Sequence, residues 1–478
     1  MCHTRTFTRP LARILSALAV LTAIALLPKA DGVEPAQFGA TTNFPAGNSA
    51  KAMVAADFNR DGNPDIAVTT GDGLSFLLGS GGGALAAPTQ YPYSTFGSGV
   101  LATGDFNHDG NRDLVEADWY NTRIILGDGA GNLSVLTNMS GDNNFSVYPA
   151  AVAVGDLNGD DKADIAVANT GNPSGRGVTV GFGRGDGFFG APTNCALPST
   201  PGDIVLGDLN GDGRLEAAVS LHSYYTANSN GVCVLTNKGD GTLAASQYYG
   251  ASSQDYHYSL KLLDFNVAGG PDLAVLNYNA QSVAIRLNNG SGIFGPANDY
   301  PVGFPPNSLA IADFNGDGKT DLVVRGGTVA RVLLGHGDGS FTVGSPMPVA
   351  SGVTSPGTIA AEDFDGNGMP DLALTCSSSS SVAIKLNQTP PVLEITPSAG
   401  YNQITWLATF GTGFSLECTT NLLEPESWQP FPYPPVLIGN QKAVTDWTDR
   451  ECKFYRLKNL KGGRGSTGRM GHALLRPM

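Results

Sequence analysis

Charge is scarce in this 478-residue chain: only 15% of its residues are Asp, Glu, Lys or Arg. Glycine fills much of the gap, with 63 copies. That balance disfavours long helices and favours many short strands joined by tight turns. Long apolar runs are also missing. The one such stretch, residues 14–27, falls short of the ~20 residues that a spanning helix needs. Arg5, Arg9 and Arg13 precede it, so residues 1–30 read as a signal peptide. The mature protein is therefore expected to be secreted, periplasmic or at the cell surface, without a membrane span.

Basic residues are few once the ends are set aside. Residues 31–457 hold 19 Lys and Arg against 42 Asp and Glu. An acidic body argues against nucleic acid and anionic membranes as partners. Cysteine is sparse, with six copies, and Cys2 lies in the signal segment. Cys195, Cys233, Cys376, Cys418 and Cys452 have no metal-ligand spacing. Cys418 and Cys452 share the C-terminal segment and form a candidate disulfide; buried free thiols are the equal alternative. Catalytic signatures are absent too. There is no His-Glu-x-x-His, no Gly-x-Ser-x-Gly and no phosphate loop.

What the chain does have is a repeat. An Asp-led loop recurs at Asp57, Asp105, Asp156, Asp208, Asp264, Asp313 and Asp363, with gaps of 48, 51, 52, 56, 49 and 50 residues. Around each loop the pattern is an Ala-rich strand, the loop, an apolar strand such as Ile66-Ala67-Val68, a third strand, a Gly-rich turn and a fourth strand. Seven units of four strands predict an all-β, seven-bladed β-propeller, with a linear β-solenoid as the runner-up. Closure decides between them. The seventh unit stops after Val382–Asn387 with no fourth strand, while Phe38–Gly47 matches the fourth-strand segment Phe294–Gly303. An N-terminal strand is expected to complete the last blade and remove the open edge. The propeller should span 31–390.

The loops follow Asp-x-Asn/Asp-x-Asp-Gly-x-x-Asp. Calcium takes about six to eight oxygens from a short loop, whereas magnesium wants a tighter octahedron with retained water. Positions one, three, five and nine supply side-chain oxygens, and position seven a carbonyl. The candidate ligands are Asp57, Asn59, Asp61 and Asp65; Asp105, Asn107, Asp109 and Asp113; Asp156, Asn158, Asp160 and Asp164; Asp208, Asn210, Asp212 and Glu216; Asp313, Asn315, Asp317 and Asp321; and Asp363, Asp365, Asn367 and Asp371. The fifth loop has Asp264, Asn266 and Asp272 but Ala268 at position five. Six Ca2+ sites and a weak or empty fifth follow. Asx-turns alone would use the same residue types. Against that, 20 of the 42 acids sit at these positions, where they would repel without a cation.

These residues carry a resemblance. In motif, spacing and copy number, residues 36–388 resemble the FG-GAP/VCBS repeat proteins, whose fold is the propeller of integrin α-subunits. The resemblance implies calcium in strand-connecting loops and secreted or surface roles, often in adhesion or recognition. The third loop departs from the motif with Asp161 in place of Gly, and the fifth with Ala268.

The calcium loops join first to second strands, which leaves the opposite face for recognition. Its connections are aromatic: Trp119, Tyr120, His222, Tyr224, Tyr225, Tyr248, Tyr249, Tyr256, His257, Tyr258 and Tyr278. Most belong to the fourth and fifth units and are expected to cluster. Aromatic rings with polar neighbours suit glycan or protein ligands, and equally pack to order a loop. Arg184-Gly185-Asp186 falls at a hairpin turn and reads as part of it. Beyond Pro390-Pro391, residues 391–458 alternate as a small β-sandwich, and 459–478 are Gly-rich, basic and expected to be disordered. The leading function is a recognition or adhesion module; the alternative is a propeller-fold polysaccharide lyase or hydrolase with acid and base such as Tyr256 and His257.

Overall fold

A computed structural model describes residues 35–93, 99–139, 148–171, 176–222, 230–250, 257–349 and 357–389. Nearer the C-terminus it describes 394–398, 401–407, 414–419, 429–431, 434–438, 441–447, 454–459 and 472–474. Residues 1–30, read above as a signal peptide, lie outside these residues.

Each repeat folds into one antiparallel sheet of strands a to d. In sheet one these are Met53–Ala56, Asp65–Thr70, Gly73–Leu77 and Thr89–Pro92. Seven such four-stranded sheets follow in order, the sixth with one extra short strand. The a strands are Met53–Ala56, Val100–Gly104, Pro149–Gly155, Thr200–Gly207, His257–Leu263, Ser308–Ala312 and Ile359–Glu362. Each contacts the a strand of the next sheet, and the last contacts the first. The sheets therefore close into a ring, which is the architecture of a β-propeller and excludes a linear solenoid.

The ring is closed by the chain's own beginning. Phe38–Pro45 is strand d of sheet seven, antiparallel to Ser381–Asn387, with Thr41 opposite Lys385 and Pro45 opposite Ser381. Gln37 N–H donates to Thr389 Oγ1 at 2.7 Å, and Gln388 N–H to the Gln37 carbonyl at 2.6 Å.

Burial follows strand position. The b strands Asp65–Thr70, Asp164–Asn169, Asp272–Asn277 and Asp371–Cys376 are buried at every residue, because a neighbouring sheet covers each face. That is why their sequences read as continuous apolar runs. The d strands Thr89–Pro92 and Asn298–Pro301 form the exposed rim. The a strands are small because they crowd round a central channel of about 1130 Å3. The core is divided into layers between successive sheets. Sheets three and four share Ala166, Val178, Val219 and Leu235, and sheets five and six share Ile285, Leu322 and Leu333.

The C-terminal segment forms two more four-stranded sheets, one holding Glu394–Ser398 and Tyr401–Leu407 and the other Phe414–Thr419 and Phe454–Asn459. Cys452, the expected partner of Cys418, lies outside the described residues. Within the segment expected to be disordered, His472–Leu474 pairs antiparallel with Phe454–Asn459. The unpaired backbone of that edge accounts for the pairing.

Candidate functional site

Each Asp loop is built on a buried acid. In sheet one, Asp65 Oδ2 accepts the Phe58 N–H at 2.9 Å and Oδ1 accepts the Gly79 N–H at 2.8 Å. The same double clamp recurs at Asp113, Asp164, Asp272, Asp321 and Asp371. Position nine thus ties the a–b turn to strand c and its turn. Position two supplies both a donor and a wedge. Phe58, Phe106, Leu157, Leu209, Phe265, Phe314 and Phe364 are all buried in the layers between sheets. Burying one such side chain contributes about 1.5–3 kcal/mol.

Glu216 replaces Asp at position nine of the fourth loop. Its Oε2 accepts the Leu209 N–H at 3.1 Å, while Oε1 is buried beside the Asn237 amide without a bond of normal geometry.

Above the clamp the loop folds round the position-one carboxylate. In loop one, Asp57 Oδ1 accepts the Asp61 N–H at 3.2 Å and Oδ2 the Gly62 N–H at 2.9 Å. Loops two, three, four, six and seven repeat both bonds. Position six is left-handed in every loop, which is why the motif asks for Gly there; Asp161 adopts the same conformation at φ 62°. Position four is left-handed as well, at Arg60, His108, Gly159, Gly211, Val267, Gly316 and Gly366. The fifth loop keeps the path but not the embrace. Asp264 Oδ1 accepts the Asn266 N–H at 3.2 Å, and the Ala268 N–H goes to Asn266 Oδ1 at 2.8 Å.

The donors fit a hard divalent cation. Carboxylate oxygens of Asp208, Asp212 and Glu216, and of Asp363, Asp365 and Asp371, lie within 4.8 Å of one another. Such groups repel when all are ionised. Burial, and then the neighbouring carboxylates, push Asp371 up to about 8, Asp321 to about 7, and Asp113 and Asp164 to about 6. An all-oxygen set on a left-handed turn suits calcium. The candidate ligands of the other four loops, at positions one, three, five and nine, line the same kind of turn.

The opposite face gathers the aromatic residues into separate groups. Trp119 and Tyr120 meet Tyr148, with ring centroids 5.4 and 5.9 Å away. His222 and Tyr278 instead line the central channel with Lys51, Asp203 and Lys261. Asp203 accepts from Ser259 Oγ and from the Leu260 N–H, both at 3.0 Å; burial pushes its carboxyl up and Lys261 opposes that. Tyr248 and Tyr249 belong to a d strand, and Tyr249 packs edge-on against Phe294 at 5.6 Å. His257 and Tyr258 open strand a of sheet five. Tyr224, Tyr225 and Tyr256 lie outside the described residues. Arg184-Gly185-Asp186 is a turn: Arg184 N–H donates to the Phe188 carbonyl, and Asp186 Oδ1 accepts the Phe188 N–H.

Three comparisons bear on this arrangement. A family model described as an FG-GAP-like repeat matches residues 57–116, 105–167, 156–219, 264–324 and 313–374. Among solved structures, the chain is similar to an Agrocybe aegerita lectin described as recognising non-reducing terminal N-acetylglucosamine. Identity is 19% and the TM-score 0.48, covering 71% of this chain and 86% of that one. It is also similar to BBS1N in complex with ARL6DN, at 14% identity and TM-score 0.49, covering 73% and 96%. No curated protein matches the sequence.

Proposed function

The chain belongs to the FG-GAP-like repeat family, and from that premise we propose a secreted, calcium-stabilised seven-bladed propeller that recognises a glycan or protein on the face opposite its Asp loops. The observation that carries the calcium part is the convergence of three acids in each of loops four and seven. Six loops offer the ligand set: the position-one, -three and -five side chains above, and the position-nine acid below. Bound calcium would neutralise carboxylates that burial otherwise drives toward protonation. The ion acts as a fastener, because each ligand set lies within one loop between two strands of the same sheet.

Export is supported by the Arg-rich start and short apolar run of residues 1–30. Recognition is supported by exposed rings at Trp119, Tyr120 and Tyr148, which lie at the ends of strands remote from the Asp loops. Equilibrium dialysis of the mature chain against calcium, followed by elemental analysis, tests the ion. About six per chain is expected, and none bound at about 1 mM would overturn it.

A further inference from the structure

We propose that Trp119, Tyr120 and Tyr148 form a stacking platform for one neutral sugar ring; this deepens the recognition reading above and rests on it. Three large aromatic side chains stand together here at 42%, 49% and 41% exposure. Their centroids, 5.4 and 5.9 Å apart, put the rings in mutual contact. They therefore present an outer surface and leave no cage between them for a cation.

The platform is held rigidly from below. Asp118 Oδ1 accepts the N–H groups of Tyr120 at 2.9 Å and Asn121 at 2.8 Å, which sets the turn that projects Trp119 and Tyr120. Asp118 Oδ2 accepts from Arg123 at 2.8 Å, and Arg123 reaches Glu116 at 3.4 Å. All three are buried. Burial pushes the Glu116 carboxyl up. Tyr148 is left-handed at φ 56°, an uncommon state for a bulky residue. Its N–H donates to the Trp119 carbonyl at 3.4 Å, and its carbonyl accepts from Thr170 N–H at 3.0 Å and Oγ1 at 2.8 Å. Strain held in place by such bonds is a mark of a functional position.

The chemistry of the surface selects the ligand. Ring faces take the C–H face of a pyranose. The Tyr120 and Tyr148 hydroxyls lie 3.4 Å apart, a pair able to donate to and accept from vicinal sugar hydroxyls. The charged groups beneath are paired and out of reach, so a neutral sugar fits better than a uronic acid.

Trp119 is one of four tryptophans, so an emission change that Trp119→Ala abolishes reports on the platform. The full chain is titrated with methyl α- and β-glucopyranoside, galactopyranoside and mannopyranoside, by fluorescence and by calorimetry. Saturable binding of at least one is expected. Trp119→Ala should weaken it about tenfold or more, and Tyr148→Phe, which keeps the ring, about threefold. Melting curves check that both variants fold. Binding that survives Trp119→Ala and Tyr148→Phe overturns the platform and leaves recognition by the wider face intact. A wild type that binds proline-rich peptides and no neutral sugar does the same. A wild type that binds neither removes both.

Discussion

The fifth and seventh Asp loops follow the same backbone path with different contents. Both have a clamped position-nine acid, Asp272 and Asp371, each with two buried N–H donors. Both are left-handed at positions four and six. Only the seventh wraps its position-one carboxylate and brings three acids together. The motif therefore combines two devices. The acid at position nine and the wedge at position two build the fold, and positions one, three and five, together with that acid, would build the proposed ion site.

Five measurements press on that separation. Chelation should have the largest effect. At ~1 mM calcium and Kd ~0.1 mM each site adds about 1.4 kcal/mol, so six sites add roughly 8. A melting temperature unmoved by chelator would leave the loops as turns alone. Next comes Asp272→Ala, which strands the Phe265 and Asn288 amides and should cost about 2–6 kcal/mol. Urea unfolding should show the same loss with and without calcium. The matching Asp371→Ala should lose the clamp and, in calcium, a further ~1.4 kcal/mol. An Asp272→Ala loss that vanishes on chelation would merge the two devices.

Ala268→Asp completes the fifth ligand set and should add one ion per chain and ~1.4 kcal/mol in calcium only. No additional ion would mean that the embrace of position one, and not the ligand count, is limiting. The smallest effect is expected at Val267, an exposed β-branched residue at φ 58°. Val267→Gly should stabilise by about 1 kcal/mol, calcium or no calcium, because a left-handed β-branched residue is strained.

The ring was readable because its evidence is periodic. Asp loops at a near-constant spacing set the number of sheets, and the match between Phe38–Gly47 and Phe294–Gly303 identified the closing strand. The candidate ligand positions stand out in the sequence for the same reason. The clamp was not, because the partners of Asp65 are the amides of Phe58 and Gly79, and backbone donors leave no trace in side-chain identity. The wedge was visible as the recurring Phe or Leu at position two, but its burial depends on the next sheet. Tyr148 was missed because it joins Trp119 from the far end of another loop. In the sequence His222 and Tyr278 read as connections of the face opposite the Asp loops, and only the ring geometry places them in the channel.

The pairing of Phe38–Pro45 with Ser381–Asn387 also sets a schedule. The first strand of the ring is the last of the ring to gain its partner, some 340 residues later. Until then two sheet edges stand open, and a chain cut before residue 381 keeps both. Contacts of such range slow folding and lengthen exposure to aggregation. The ring behaves like a clasped bracelet, whose closure waits until residues 381–387 are made.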